Sequence, residues 1–184
     1  MSKPLSALQA WAASNQQPAL AELCTEYAAH SQSGITRMLN GPTGERNSYA
    51  ILPREHVLCL AEVESDLLIQ LAAVLAVGSS AVLPQSELAK ALLARLPKEV
   101  QARITLVADW TKDEVIFDAV LHHGDCDQLR DVCQQVAQRA GAIVGVQGLS
   151  QGETNIALER LVIERALSVN TAAAGGNASL MTIG

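Results

Sequence analysis

The stretch HVLCLAEVESDLLIQLAAVLAVGSSAVLP, His56–Pro84, decides the architecture. HVLCLAE is a continuous apolar run of strand length, which fits a strand buried on both faces. Ser65–Ala76 then carries apolar residues around most of a helical circumference. Such a helix has no obvious water-facing side. Gly78 follows as a left-handed C-terminal cap, and SAVLP, Ser80–Pro84, is a second strand. Strand, helix and strand at this spacing predict a right-handed crossover and a parallel pair.

The same grammar continues toward the C-terminus. Ser86 is placed to cap a helix running to Leu96, with Glu87 in its first turn. ITLVA, Ile104–Ala108, is a third strand and FDAVLHHG, Phe117–Gly124, a fourth. Asp125 or Asp127 caps a helix through Ala140 that stops at Gly141. AIVGVQG, Ala142–Gly148, is a fifth strand. The expected fold class is α/β, a Rossmann-like, mostly parallel sheet with flanking helices. Upstream, Leu5–Ala13 and Ala19–Ala29 read as amphipathic helices, with Pro18 in a first turn. Ile35–Leu39 and Ser48–Leu52 flank NGPTGERN and read as an antiparallel hairpin outside the main repeat.

The 184 residues suit one domain with an appendage. Half the residues are hydrophobic but only 3% are aromatic, so the core must be aliphatic. The net charge of -6 and the lack of any Lys/Arg run argue against nucleic acid as a partner of this segment. The longest apolar run, Leu71–Val77, is too short to cross a bilayer, so no transmembrane segment is expected. The N-terminus lacks a signal-peptide layout. A cytoplasmic protein with reduced cysteines is the expectation, two of the four thiols lying in apolar stretches.

Catalytic signatures are missing. No GxGxxG, GxxxxGK[ST] or GxSxG is present. HHGDCD, His122–Asp127, brings metal-ligand types together, but neighbouring strand residues point to opposite faces, which disfavours one shared ion. It reads as a strand, a glycine turn and a helix cap. Glu159-Arg160 and Glu164-Arg165 read as exposed ion pairs. NIALERLVIERALSVN, Asn155–Asn170, fits either a helix or a strand, because its alternation is mixed.

Two stretches carry a family resemblance. QLAAVLAVGSSAVLPQSEL, Gln70–Leu88, resembles a nucleotide-domain segment of the aldehyde dehydrogenase superfamily through Ala73, Leu75, Gly78, Val82, Leu83, Ser86 and Glu87. The family lysine that contacts the cofactor ribose aligns with Pro84, which has neither charge nor donor. GPTGERNSYAILPREHVLCLAE and the ending RALSVNTAAAGGNASLMTIG resemble the C-terminal domain of long forms of proline utilization A, from about Ile35 onward.

That resemblance implies the end of a much longer oxidoreductase that oxidises proline to glutamate with FAD and NAD. It implies a noncatalytic domain covering the cavity through which the semialdehyde intermediate passes, with no cofactor of its own. It favours extended structure for Asn155–Asn170. It divides the chain into N-terminal helices (1–34), a Rossmann-like body (35–153), an oligomerisation flap (154–171) and a docking tail (172–184). The implied partners are the catalytic modules of the same polypeptide, with a homo-oligomer through the flap also open. A stand-alone degenerate nucleotide-binding oxidoreductase is the rival reading.

The candidate contact residues are Arg165 and Asn170 on the flap and Gly175, Gly176, Asn177, Ser179, Leu180, Met181 and Ile183 on the tail. Residues 168–184 carry no charge and few bulky groups. Three large apolar side chains after Ala172 cannot offset the backbone entropy of ordering thirteen residues. The tail is therefore expected to order only in a groove supplied by another surface.

Overall fold

The structure, a computed structural model, describes residues 1–171. The expectations for residues 172–184 lie outside the described residues. Two sheets organise the chain. The larger is five-stranded and wholly parallel: β3 (His56–Leu60), β4 (Ser80–Pro84), β5 (Ile104–Val107), β6 (Ala119–His123) and β7 (Gly145–Leu149), in the order β5-β4-β3-β6-β7. The reversal of winding direction at β3 puts the topological switch between β3 and β6. This is the α/β, Rossmann-like sheet that the sequence predicts.

Strand alternation explains the run of apolar residues. Val57, Cys59, Ala81, Leu83, Ala119 and Leu121 enter the larger core on one face. Leu58, Leu60, Val82 and Val120 enter a smaller core on the other. A strand covered on both faces has no polar side to show. The thiols of Cys24 and Cys59 are both buried. Burial pushes Cys24 up to about 12 and Cys59 higher still, so both behave as small apolar side chains.

Helix α3 (Glu64–Val77) lies on the first face, and ten of its residues are buried. It ends at Gly78, whose φ of 90° is the left-handed cap expected. Helices α1 (Lys3–Ser14) and α2 (Pro18–His30) cover it through Leu5, Leu8, Leu20 and Leu23. Helix α4 (Glu87–Arg95), capped by Ser86, and the short α5 (Lys98–Gln101) complete that layer. Helix α6 (Cys126–Ala137) packs on the opposite face with Val132 and Val136. Its cap is Asp125, in a reciprocal box with Gln128, and not Asp127. The helix ends three residues before the expected Ala140.

The connection from β5 to β6 contains no helix. Arg139 pins it, donating to the carbonyls of Trp110 (2.7 Å) and Lys112 (2.6 Å) and also to that of Val115. The guanidinium lies 4.4 Å from the Phe117 ring centre, adding a cation–π contact.

The smaller sheet is antiparallel, β1-β2-β8. Strands β1 (Thr36–Leu39) and β2 (Glu45–Pro53) form the expected hairpin, with β2 extending to both sides of Ser48–Leu52. Residues 155–170 form a short 3-10 helix, Leu158–Leu161, and then β8 (Val162–Asn170). The second half is extended, and it pairs along the whole of β2, from Pro53↔Val162 to Glu45↔Asn170.

The capping geometry makes a clear prediction. Asp125→Ala should lower unfolding free energy by about 1 kcal/mol, the ordinary cost of a lost N-cap. Asp127→Ala should stay within about 0.5 kcal/mol of the parent. Urea denaturation of both variants measures the difference.

Candidate docking surface and the crevice at the sheet edge

In open parallel sheets, ligands bind beyond the carboxyl ends of the strands, at the switch point. Here that crevice is already bridged by protein groups. Gln128 at the start of α6 donates its Nε2–H to Glu62 Oε1 after β3, at 3.0 Å. The same Gln128 accepts the Asp125 N–H at 3.0 Å. Between the ends of β3 and β4 lies a cavity of about 280 Å³, walled by Glu62, Pro84, Ser86 and Leu88. Pro84 closes β4.

The helix N-termini at this edge carry acidic side chains. Helix N-termini attract phosphate through exposed N–H groups and their dipoles. The three long helices that start here all carry carboxylates in that position: Glu64 and Asp66 on α3, Glu87 on α4, and Asp125 and Asp127 at α6. Asp125 also consumes the N–H groups of Asp127 and Gln128, at 2.9 and 2.8 Å. Glu64, Glu87 and Asp127 are ion-paired with Arg95, Lys90 and Arg130, so the difference for an anion lies chiefly in the N–H groups that Asp125 already occupies.

The histidine pair splits across the sheet. His123 points toward α3. Its Nδ1 lies 2.9 Å from Gln70 Nε2 and its Nε2 lies 2.9 Å from the Glu153 carbonyl. A carbonyl only accepts, so Nε2 carries the proton and Nδ1 accepts from Gln70, whose Nε2 also donates to Leu60 at 3.0 Å. His122 points to the α6 side, is 5% exposed, and leaves Nδ1 without a partner. Burial lowers its pKa first; His123 adds to this, while Asp125 and Glu62 oppose it.

His123 belongs to a set of residues that sequence reasoning missed. Asp66 Oδ1 accepts the Gly152 N–H at 2.8 Å, and the Tyr27 hydroxyl donates to the Thr154 carbonyl. With the His123–Glu153 bond, three consecutive contacts hold residues 152–154 against α2, α3 and β6. That strap delivers β8 to β2. The partners are 30 to 127 positions apart in sequence, so local patterning carries no signal for them.

The antiparallel sheet exposes both faces. Its register places Met38, Leu52, Ile163, Leu167 and Val169 on one face, with Arg46 and Arg165. Met38, Ile163 and Leu167 are 61%, 42% and 45% exposed. The other face carries Arg37, Tyr49 and Glu164. Loss of hydration, and then the bond to the Glu164 carboxylate, holds the Tyr49 phenol above its usual range.

Of the candidate contact residues, Arg165 sits opposite Ala50 on the apolar face, and Asn170 sits opposite Glu45 at the far end of β8. Gly175, Gly176, Asn177, Ser179, Leu180, Met181 and Ile183 lie outside the described residues. The expected Glu164-Arg165 pair is not formed, because strand neighbours face opposite ways and Glu164 turns to Tyr49. Glu159 and Arg160 form no ion pair with each other among the described residues either. Among those residues, no helix is long and apolar enough to cross a membrane.

No family model matches the chain. Known proteins do match it. The bifunctional protein PutA of Escherichia coli (strain K12) is 56% identical over all 184 residues. That of Salmonella typhimurium is 59% identical over 181, and that of Rhizobium meliloti 39% identical over 168. The chain spans 14% of the length of each. It is therefore related, along its whole length, to a segment of PutA.

Among solved structures, a mutant proline utilization A from Bradyrhizobium japonicum superposes with a TM-score of 0.53 at 20% identity, over 71% of this chain and 15% of that one. Substrate-bound AldH of Staphylococcus aureus gives 0.56 at 14% identity, over 82% of this chain and 41% of that one. At these identities the likeness is one of fold.

His122 generates a pH prediction. Its folded pKa lies below the ordinary value of about 6.5, so the unfolded chain takes up a proton first as pH falls. The stability from keeping His122 neutral is complete above about pH 7 and is lost below about pH 6.5. His122→Gln should melt with a smaller drop in Tm between about pH 7.5 and about pH 5.5 than the parent. An unchanged drop would show that His122 does not supply this term.

Proposed function

We propose that this chain is a noncatalytic lid and assembly domain of a proline-oxidising enzyme. It supports the conversion of L-proline to L-glutamate by covering the cavity that passes the semialdehyde between two active sites. The catalytic modules of the same polypeptide are its partners, and their FAD and NAD are the cofactors. The cytoplasm is its proposed compartment. The relation to a segment of PutA supports the pathway. The observation that carries the role is the antiparallel sheet, which projects an apolar face bearing Met38, Ile163 and Leu167 away from the core.

The crevice supports the noncatalytic part of the reading. A nucleotide domain without the ribose-contacting lysine, with Glu62 and Gln128 bonded across its mouth, has lost its grip on a dinucleotide. What the fold retains is a rigid body that presents a flap. Arg165, between Ile163 and Leu167 on β8, and Arg46, opposite Val169, add polar contacts within and beside the apolar patch. Residues 172–184, which lie outside the described residues, offer Gly175 and Gly176 for close approach and Asn177 and Ser179 as hydrogen-bonding groups, and are proposed as a second docking element.

Two measurements test this reading. Calorimetric titration of the chain with NAD should give no saturable binding up to about 1 mM. Joined to its upstream modules, the protein should lose about tenfold or more in coupled proline-to-glutamate turnover when Ile163 and Leu167 are both changed to Glu, or when residues 172–184 are removed. The double variant should leave the stability of the isolated chain within about 0.5 kcal/mol per site, because both residues are exposed. Saturable NAD binding, or undiminished coupled turnover in both variants, would overturn the reading.

A further inference from the structure

A second polar cavity lies at the opposite, amino-terminal end of the parallel strands. Its volume is about 260 Å³. Its floor is the β6–β7 pair, where Ala119 lies opposite Gly145 and Leu121 opposite Gln147. Alternation puts Gly145 and Gln147 on the same face. Leu161 and Arg160 of the 3-10 helix and the residues Arg54 and Asp118 form its walls.

The walls are fixed by hydrogen bonds. The Arg54 backbone N–H donates to the Leu161 carbonyl and its Nε–H to the Arg160 carbonyl, both at 3.0 Å. Asp118 Oδ2 accepts the N–H groups of Glu55 and His56, both at 3.1 Å. Among the described residues, neither guanidinium and neither oxygen of Asp118 enters an ion pair. Gln147 is 8% exposed, and its Oε1 has no partner. Exchanging the amide oxygen and nitrogen would only transfer the deficit between its two ends.

We propose that this cavity binds a small α-amino acid, its carboxylate held by Arg54 and Arg160 and its ammonium by Asp118 and the Gln147 carboxamide. The charges match. Two guanidiniums suit the two oxygens of one carboxylate. One carboxylate and one amide oxygen suit an ammonium, which only donates. Gly145 leaves the space open: a Cβ there would meet nothing within 4 Å, and its φ lies outside the left-handed range. The site is remote from the crevice at the carboxyl edge and needs neither NAD nor the docking role.

The test is a 15N NMR titration of the full chain with L-alanine, with acetate and L-lactate as comparison ligands. L-alanine should give saturable shifts at Gly145, Gln147 and Leu161 with a Kd of about 1–10 mM, and the comparison ligands should bind at least about tenfold more weakly. Gly145→Leu puts a side chain into the cavity at a position where a Cβ meets nothing within 4 Å, and Arg160→Gln removes one cation while keeping the carbonyl that Arg54 bonds. Each variant should melt like the parent and weaken L-alanine at least about tenfold. No saturation, equal response to acetate, or full binding in both variants would overturn the proposal.

Discussion

The structure turns on a helix with no water-facing side. Helix α3 sits against the parallel sheet through one flank, and its remaining apolar residues need a second cover. Helices α1 and α2 supply it, which is why a short sheet protein carries two extra helices at its start. Burying the helix on all sides also buries Gln70 and Asp66, at 0% and 2% exposure. A buried amide or carboxylate without partners is costly. Each finds a partner here: the Gln70 Nε2 bonds the Leu60 carbonyl and His123, while its Oε1 has none among the described residues, and Asp66 accepts from Gly152. The strap at residues 152–154 is thus held by polar groups that the helix buries. The flap inherits its position from that strap, because β8 follows after only one short helical turn.

The same logic accounts for what happened to the crevice. A dinucleotide site needs helix N-termini that are bare and a strand end that approaches closely. Here Ser86 caps α4 and Asp125 caps α6, while α3 begins at Val63 with no side-chain cap and carries Glu64 and Asp66 in its first turn. The Glu62–Gln128 bond then ties β3 to α6 across the switch point. Each of these contacts favours the fold. They are mutually consistent, and they leave a Rossmann-like body as a scaffold.

Legibility followed burial. The βαβ units were readable because His56–Leu60 and Ser80–Pro84 are covered on both faces, and a doubly covered strand is written as an unbroken apolar run. Gly78 and Ser86 marked the ends of helices by backbone chemistry that acts locally. The flap was harder. Strand β8 has seven exposed residues out of nine, with Glu164 and Arg165 side by side, so no core imprints a period on it. Only pairing with β2 makes it extended, and that pairing joins residues more than a hundred positions apart. The family resemblance supplied the extended reading where periodicity could not. Asp125 and Asp127 were equally plausible caps by composition, and the choice fell to Gln128, the residue that closes the box on Asp125.

An antiparallel sheet of three strands with two open edges is a poor fold by itself. Pairs of strands are marginal in water, and uncovered edges invite association. This sheet persists because β2 runs directly into the body: Ile51 is buried, and the Arg54 N–H bonds to Leu161 just beyond the sheet's last pair. The anchored end costs nothing further to order. At the far end the Thr171 N–H donates to the Gly44 carbonyl at 2.6 Å, and the face between the two ends holds three large exposed apolar groups, Met38, Ile163 and Leu167. Exposed apolar area of this kind is destabilising in water and favourable against another surface. On a sheet anchored to the body and apolar on one face, covering Met38, Ile163 and Leu167 with another surface would be favourable for that reason alone.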